Sequence, residues 1–289
     1  MKDKTMKCRP MKPFTSLIRM QLNVNYSISA LKYRFTREKK KRWEPILIGV
    51  AIILSLLPLL AMYTFFMLSV FTGGLMMGQP EMVLVMALVF AQLVIFIFGI
   101  LYIMGTFYFS KDIMSLVPLP LKPYEIIGAK FAVVLVNEYL TSLPLLLPPV
   151  IIFGIGTSQG ILYWLKSLTI MAVAPVIPLT IASLLVVLLM RVVNIGRYKD
   201  LLVIVGGTAL VFASFFVSVL MQKMPEDPEA IKQFFAEQTS LVDLLGRRFP
   251  PALWATRALA DNGLSGVGYF VLFLAVCAGL FIFMLWVAN

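Results

Sequence analysis

The sequence predicts an all-α, polytopic membrane protein. Six transmembrane helices follow an N-terminal amphipathic interfacial helix, and short extracellular helices precede the sixth span. Three observations carry this. Of the 289 residues, 60% are hydrophobic and only 13% charged, whereas soluble domains are near half apolar and a quarter charged. The apolar residues gather into runs longer than the roughly 20 needed to cross a bilayer. Lysine and arginine concentrate in alternate connections, the pattern that orients membrane proteins.

Residues 1–45 form a basic arm with 13 of the 25 lysines and arginines. Leu17, Val24, Ile28, Leu31 and Phe35 recur at helical spacing, and Arg19, Lys32, Arg34 and Arg37 fall off that face. A basic amphipathic helix just before a span lies along the membrane surface. Residues 46–289 form the transmembrane domain. The spans are expected at 46–71, 82–109, 131–155, 167–190, 201–221 and 267–288, with Pro58 a kink in the first.

The arm, the connection 110–130 and the connection 191–200 hold 19 basic residues. The connections 72–81 and 157–165 hold none, and 222–266 holds five. Lys166 is read at a span edge. The asymmetry puts the arm, 110–130 and both termini in the cytoplasm of a multi-pass plasma-membrane protein. It puts 222–266 outside. There, acids and prolines at 225–229 followed by Ile231, Phe234, Phe235, Leu241, Leu244 and Leu245 suggest surface helices. Residues 249–254, with Pro250, Pro251 and Trp254, are read as a cap or a dip back into the bilayer.

The net charge of +11 belongs mostly to span flanks, so no nucleic acid is expected as a partner. Histidine is absent, which removes His-based zinc sites and Ser–His triads. Cys8 and Cys277 do not make a disulfide or metal framework. There is no GxxxxGK[ST], so no nucleotide is bound through a P-loop of this chain, and no HExxH or GxSxG. An enzyme is not expected, and no metal or other cofactor is expected to bind directly.

Two places carry functional readings. Glu138, beside Asn137, is the carboxylate inside a predicted span, about 12 Å from its start at 1.5 Å per residue. Such a group is costly in a bilayer. A proton-coupled role stands beside a structural hydrogen bond, or a shallower span that leaves it near the interface. The second place is 110–130. Ser110 can cap a short helix, KDIMSL, that Pro118 stops. Pro120 and Pro123 stiffen the chain beyond it, and Glu125 sits near the start of the next helix. The result is a rigid helix–elbow–helix below the membrane, suited to docking a cytoplasmic partner through Ser110, Lys111, Asp112, Ile113, Met114 and Leu116.

The segments SALKYRFTREKKKRWEPILIG, FYFSKDIMSLVPLPLKPYEIIGAK and FPPALWATRAL together resemble the membrane subunits of bacterial ABC-2-type exporters, in particular Gram-positive ABC exporter permeases. The resemblance implies that the arm is a connecting helix and that 110–121 contains the coupling helix. It also implies that 222–266 holds extracellular re-entrant helices. It implies a separate ABC-type ATP-binding subunit that handles ATP and magnesium, and a second permease unit. Permeases of this group commonly carry further spans, which leaves open a fragment or one half of a longer chain. A secondary transporter, or half of one, and a non-transporting scaffold or sensor are the alternative readings.

Overall fold

The computed structural model describes residues 13–26, 29, 33, 43–108, 123–192, 249–261 and 263–288. Among them every regular element is helical. The elements are α1 (Pro13–Asn25), α2 (Trp43–Met76), α3 (Met82–Ile103) running into a π-helical turn (Met104–Tyr108), α4 (Pro123–Gly156), α5 (Ile161–Val173), α6 (Val176–Val192), α7 (Pro250–Ala260) and α8 (Leu264–Ala288). Five stretches are long and apolar enough to cross a membrane: Ile46–Met76, Met82–Phe107, Gly128–Gly156, Ile161–Leu188 and Leu264–Met284. The expected span at 201–221 and the segment 222–248 lie outside the described residues.

α3 is the central helix. Its buried residues include Val83, Leu84, Val85, Ala87, Leu88, Ile95 and Ile103, over most of its circumference, and Phe90, Leu93, Ile97 and Leu101 form one exposed stripe. It packs against α4 and α6, and less extensively against α2 and α7. An apolar sequence with no polar face can be buried over most of its surface and turn the remainder to lipid. α2 is equally apolar but stands at the periphery. None of its most apolar window is buried, and Leu47, Ile53, Leu54, Leu59 and Phe65 are exposed. In a bilayer such a surface meets lipid tails at no hydrophobic cost. At 34 residues α2 is about 51 Å long, longer than a bilayer core. It runs through Pro58 as one helix, so the expected kink does not divide it.

A proline leaves a carbonyl without its usual donor, and at one such gap in α4 a neighbouring hydroxyl takes its place. α4 is continuous over 34 residues although it contains Pro144, Pro148 and Pro149. Pro149 has no N–H to give to the Leu145 carbonyl. The Tyr63 hydroxyl of α2 donates to that oxygen at 2.8 Å. In lipid an unsatisfied backbone group is especially costly, so the tyrosine both repairs the break and ties α2 to α4. The expected fourth span, 167–190, differs from what is seen. The helix begins six residues earlier, at Ile161, and is broken at Ala174 and Pro175 into α5 and α6. The Ala172 carbonyl, at the end of α5, accepts from the Tyr139 hydroxyl of α4.

α1 also departs from expectation. Leu17 is buried against Ala129, with Ile18 and Ile126 packed alongside, so α1 docks on the start of α4. Val24, expected on the same apolar face as Leu17, is exposed. The helix ends at Asn25 and the chain turns at Tyr26, so the periodicity of the arm does not continue as one helix from Leu17. Ile28, Leu31 and Phe35 lie outside the described residues.

Candidate functional site

Two apolar clusters are separated by a polar waist. One cluster unites parts of α2, α3, α4, α5, α7 and α8 and includes Phe71, Ile95, Leu146, Phe153, Tyr163, Ala255 and Phe273. The other, nearer α1, unites Ile103, Met104, Phe131, Val134, Leu179, Ala182, Val186 and Met284. On α4 the interval between Val134 and Leu146 holds Glu138 and Ser142, both fully buried. They are four residues apart and so share a helix face. On α3 the matching interval holds Gly99, and Gln92 lies seven residues earlier on the same face. On α6, Thr180 and Ser183 interleave with Leu179, Ala182 and Val186 of the second cluster, and their hydroxyls donate within the helix to the Ile177 and Thr180 carbonyls at 2.8 and 2.7 Å.

Gly99 makes room for the carboxyl. A Cβ at that position would lie 3.4 Å from Glu138 Oε1, 3.2 Å from Leu179 Cδ1 and 3.5 Å from the Ala182 methyl. α3, α4 and α6 therefore meet at Glu138. Both carboxyl oxygens of Glu138, the Ser142 hydroxyl and the Gln92 side-chain nitrogen have no hydrogen-bond partner. Buried polar groups in native proteins are nearly always bonded. Four unpartnered atoms along one seam mark it as a functional candidate.

Asn137, the neighbour of Glu138, faces elsewhere. Its side-chain oxygen accepts a hydrogen bond from the Tyr26 hydroxyl, just past α1. Burial, and secondarily the nearby Tyr102 phenol, hold the Tyr26 hydroxyl above the usual tyrosine range. Tyr26 is thus a neutral donor at physiological pH. Beside this link lies a half-open cavity of about 420 Å³, lined by Gln21, Asn25, Tyr26, Tyr102, Thr106 and Asn137 among others. The π-helical turn forms one wall. The Lys130 ammonium, buried on α4, donates to the Thr106 carbonyl in that turn at 2.7 Å.

At the opposite end of the bundle α7 packs against the apolar cluster. Pro250 and Pro251 start the helix, where a missing N–H costs little. Ala252, Ala255, Thr256, Ala258 and Leu259 are buried, and Trp254 and Leu253 pack against the cluster at its edge. Lys166 of α5 is buried and donates to the Ala258 carbonyl at 3.2 Å. Ala258 holds one of the last carbonyls of α7, where a cation is favoured. Arg257 bonds the Tyr269 hydroxyl of α8 at 2.8 Å and stands 5.4 Å from its ring centroid.

The structure thus brings Glu138 together with Ser142, Gly99 and α6, and Asn137 together with Tyr26. It does not place Asn137 and Glu138 in one site. Ser110, Lys111, Asp112, Ile113, Met114 and Leu116 lie outside the described residues. Sequence reasoning passes over Ser142, Tyr26 and the roles of Lys130 and Lys166. For Ser142 the available signal is the i, i+4 spacing from Glu138. Among the described residues no group of three or more His, Cys, Asp or Glu side chains could hold a metal ion.

A family profile described as "Putative ATP-binding cassette" matches residues 39–289. The chain belongs to that family. It is an ATP-binding-cassette-related protein whose described residues supply five helices able to cross a membrane. No curated protein and no solved structure matches it.

Proposed function

We propose that the chain is the membrane-spanning permease subunit of an ATP-driven exporter of the ABC-2 type, with ATP bound and hydrolysed by a separate subunit. The observation that carries this reading is a pairing of two facts. The described residues are mostly membrane-length helices, and the full sequence of a chain in an ATP-binding-cassette family has no GxxxxGK[ST]. A family member without its own phosphate-cradling loop receives its force from another polypeptide. The 110–130 connection is where that force enters, through Ser110, Lys111, Asp112, Ile113, Met114 and Leu116. α7, with Pro250, Pro251 and Trp254, caps the outer end. A second permease unit and lipid share the bare apolar face of α2. The protein sits in the plasma membrane with both termini in the cytoplasm.

The waist around Glu138 favours one other reading, a secondary transporter, because such proteins place polar groups and broken helices near the midplane. Co-expression with a cognate ABC-type ATPase separates the two. The permease reading expects the ATPase to co-purify from detergent. Lys111→Glu and Asp112→Lys should each lower its recovery several-fold while the membrane subunit still elutes as wild type. Full recovery with both reversals would refute the docking role. Substrate flux without ATP, driven by an ion gradient, would favour the secondary transporter.

A further inference from the structure

Glu138 is fully buried where α4 meets α3 at Gly99 and α6 at Leu179 and Ala182. Neither carboxyl oxygen has a partner, and neither the Ser142 hydroxyl nor the Gln92 side-chain nitrogen supplies one. Structural carboxyls inside membranes are bonded to a neighbouring helix or paired with a cation. This one is neither.

The facing elements offer no counter-charge among the described side chains. α3 contributes Tyr102 as its titratable group, and α6 carries Arg191 as its one charged residue, nine residues beyond Ala182 and so about 13.5 Å of rise from the site. α1 contributes Arg19 and the segment's Tyr26, which is bonded to Asn137. α2 contributes Tyr63, bonded to the Leu145 carbonyl. α5 contributes Tyr163, bonded to the Val150 carbonyl, and Lys166, bonded to the Ala258 carbonyl. On α4 itself Tyr139 bonds the Ala172 carbonyl. Lys130 lies eight residues from Glu138, about 12 Å of rise, and is held at Thr106. A carboxylate without compensation is not tolerated in such surroundings, whereas a carboxylic acid needs no cavity and no counter-ion.

The third wall of the site adjoins a helix break. α6 is separated from α5 by the break at Ala174 and Pro175, with Pro178 in its first turn. Helix breaks of this kind absorb hinge motion. Leu179 and Ala182, which close the site over Gly99, lie one to two turns beyond the break.

We propose that Glu138 is a proton-exchange site inside the bundle, loaded while α6 lies against α3 and α4 and unloaded when α6 swings away. In unloading, the carboxylic O–H bond breaks and the proton passes to water admitted along the Ser142 side, leaving a hydrated carboxylate. In loading, hydronium returns the proton and α6 recloses over the neutral acid. The ligand is the proton, and Ser142 and Gln92 are the polar groups that water would meet first along the seam. The place of this step in a transport cycle rests on the permease reading, but the site itself does not.

The first test needs no ATPase. The purified chain in lipid nanodiscs is followed by infrared spectroscopy, and the carboxylic-acid C=O band is taken as wild type minus Glu138→Gln. The expected band is present at acidic and neutral pH, falls as pH rises, and shifts on transfer to D2O. A band that ignores pH and does not shift in D2O would mean a trapped structural acid and overturn the proposal. So would the absence of any band at every pH. The second test uses the complex with its ATPase. Wild type and Glu138→Asp should show a pH-dependent limb in ATP turnover that Glu138→Gln lacks, and superimposable profiles of all three would overturn the coupling. If no ATPase associates while the band titrates, the permease reading fails and the proton site stands.

Discussion

Replacing Glu138 by methionine should make the protein more stable. The side chains are similar in length, so the α3–α4–α6 junction keeps its packing. What changes is a carboxyl whose two oxygens are buried without partners. Burying a polar group without a hydrogen bond costs about 1–3 kcal/mol by mutational measures. Methionine removes that cost and gains apolar burial against Gly99, Leu179 and Ala182. Interactions of polar groups within membranes average about 0.6 kcal/mol, so the lower part of the range applies, a gain of about 1–2 kcal/mol. Equilibrium unfolding in mixed micelles, with tryptophan fluorescence as the signal, reads this directly. The expected curve shifts to higher denaturant with an unchanged slope, because the surface exposed on unfolding is the same. A loss of more than about 1 kcal/mol would refute the reasoning. It would mean that the carboxyl is bonded in the native protein and that the seam is structural.

The other expectations concern the two ends of the bundle. Gly266→Ala drives a Cβ into the Asp261 carbonyl oxygen, a main-chain overlap that side-chain rotation cannot relieve. It should destabilise the α7–α8 hairpin by about 2–3 kcal/mol. Gly268→Ala meets nothing and should be neutral or gain about 0.5–1 kcal/mol from helix propensity, so thermal melts of the pair in nanodiscs should move in opposite directions or differ by that sum. Lys166→Met keeps the apolar stem but strips the Ala258 carbonyl of its ammonium donor. Undocking of α7 should become easier by about 1–2 kcal/mol, seen as faster thiol labelling of a cysteine introduced at Ala255. Tyr26→Phe removes the link to Asn137 and should cost about 1 kcal/mol. Proteolysis of the arm at low protease should rise in step, and unchanged cleavage would count against the docking of α1 on α4.

Hydropathy makes the spans legible, because a run of apolar residues longer than the bilayer is thick has few other fates. It misplaces the ends wherever a charge is satisfied inside. Lys166 reads as a span edge in the sequence, yet the helix starts at Ile161 and carries the lysine inward to the Ala258 carbonyl. Lys130 counts with a connection by charge, yet it is buried on α4 against the π-helical turn. The partners are backbone carbonyls elsewhere in the chain, one in the last turn of α7 and one in the π-helical turn, which hydropathy along the sequence does not register. α4 contains three prolines within one continuous helix. At one of them the gap is filled, because Tyr63 donates to the Leu145 carbonyl that Pro149 leaves without its helix partner. Glu138 is legible as an outlier, but its isolation is not. That depends on Gly99 and on what α6 fails to offer, and both are matters of three-dimensional packing. On the arm Leu17 is buried against α4, while Val24, seven residues on along the same face of α1, is exposed.

At the centre stands the claim that this chain spans the membrane and borrows its ATP chemistry. The most direct measurement is nucleotide binding to the purified chain in lipid nanodiscs, alone and then with a co-purified ABC-type ATPase. We expect no saturable magnesium–ATP binding by the chain alone and saturable binding once the ATPase is added. Saturable binding by the chain alone would contradict the claim.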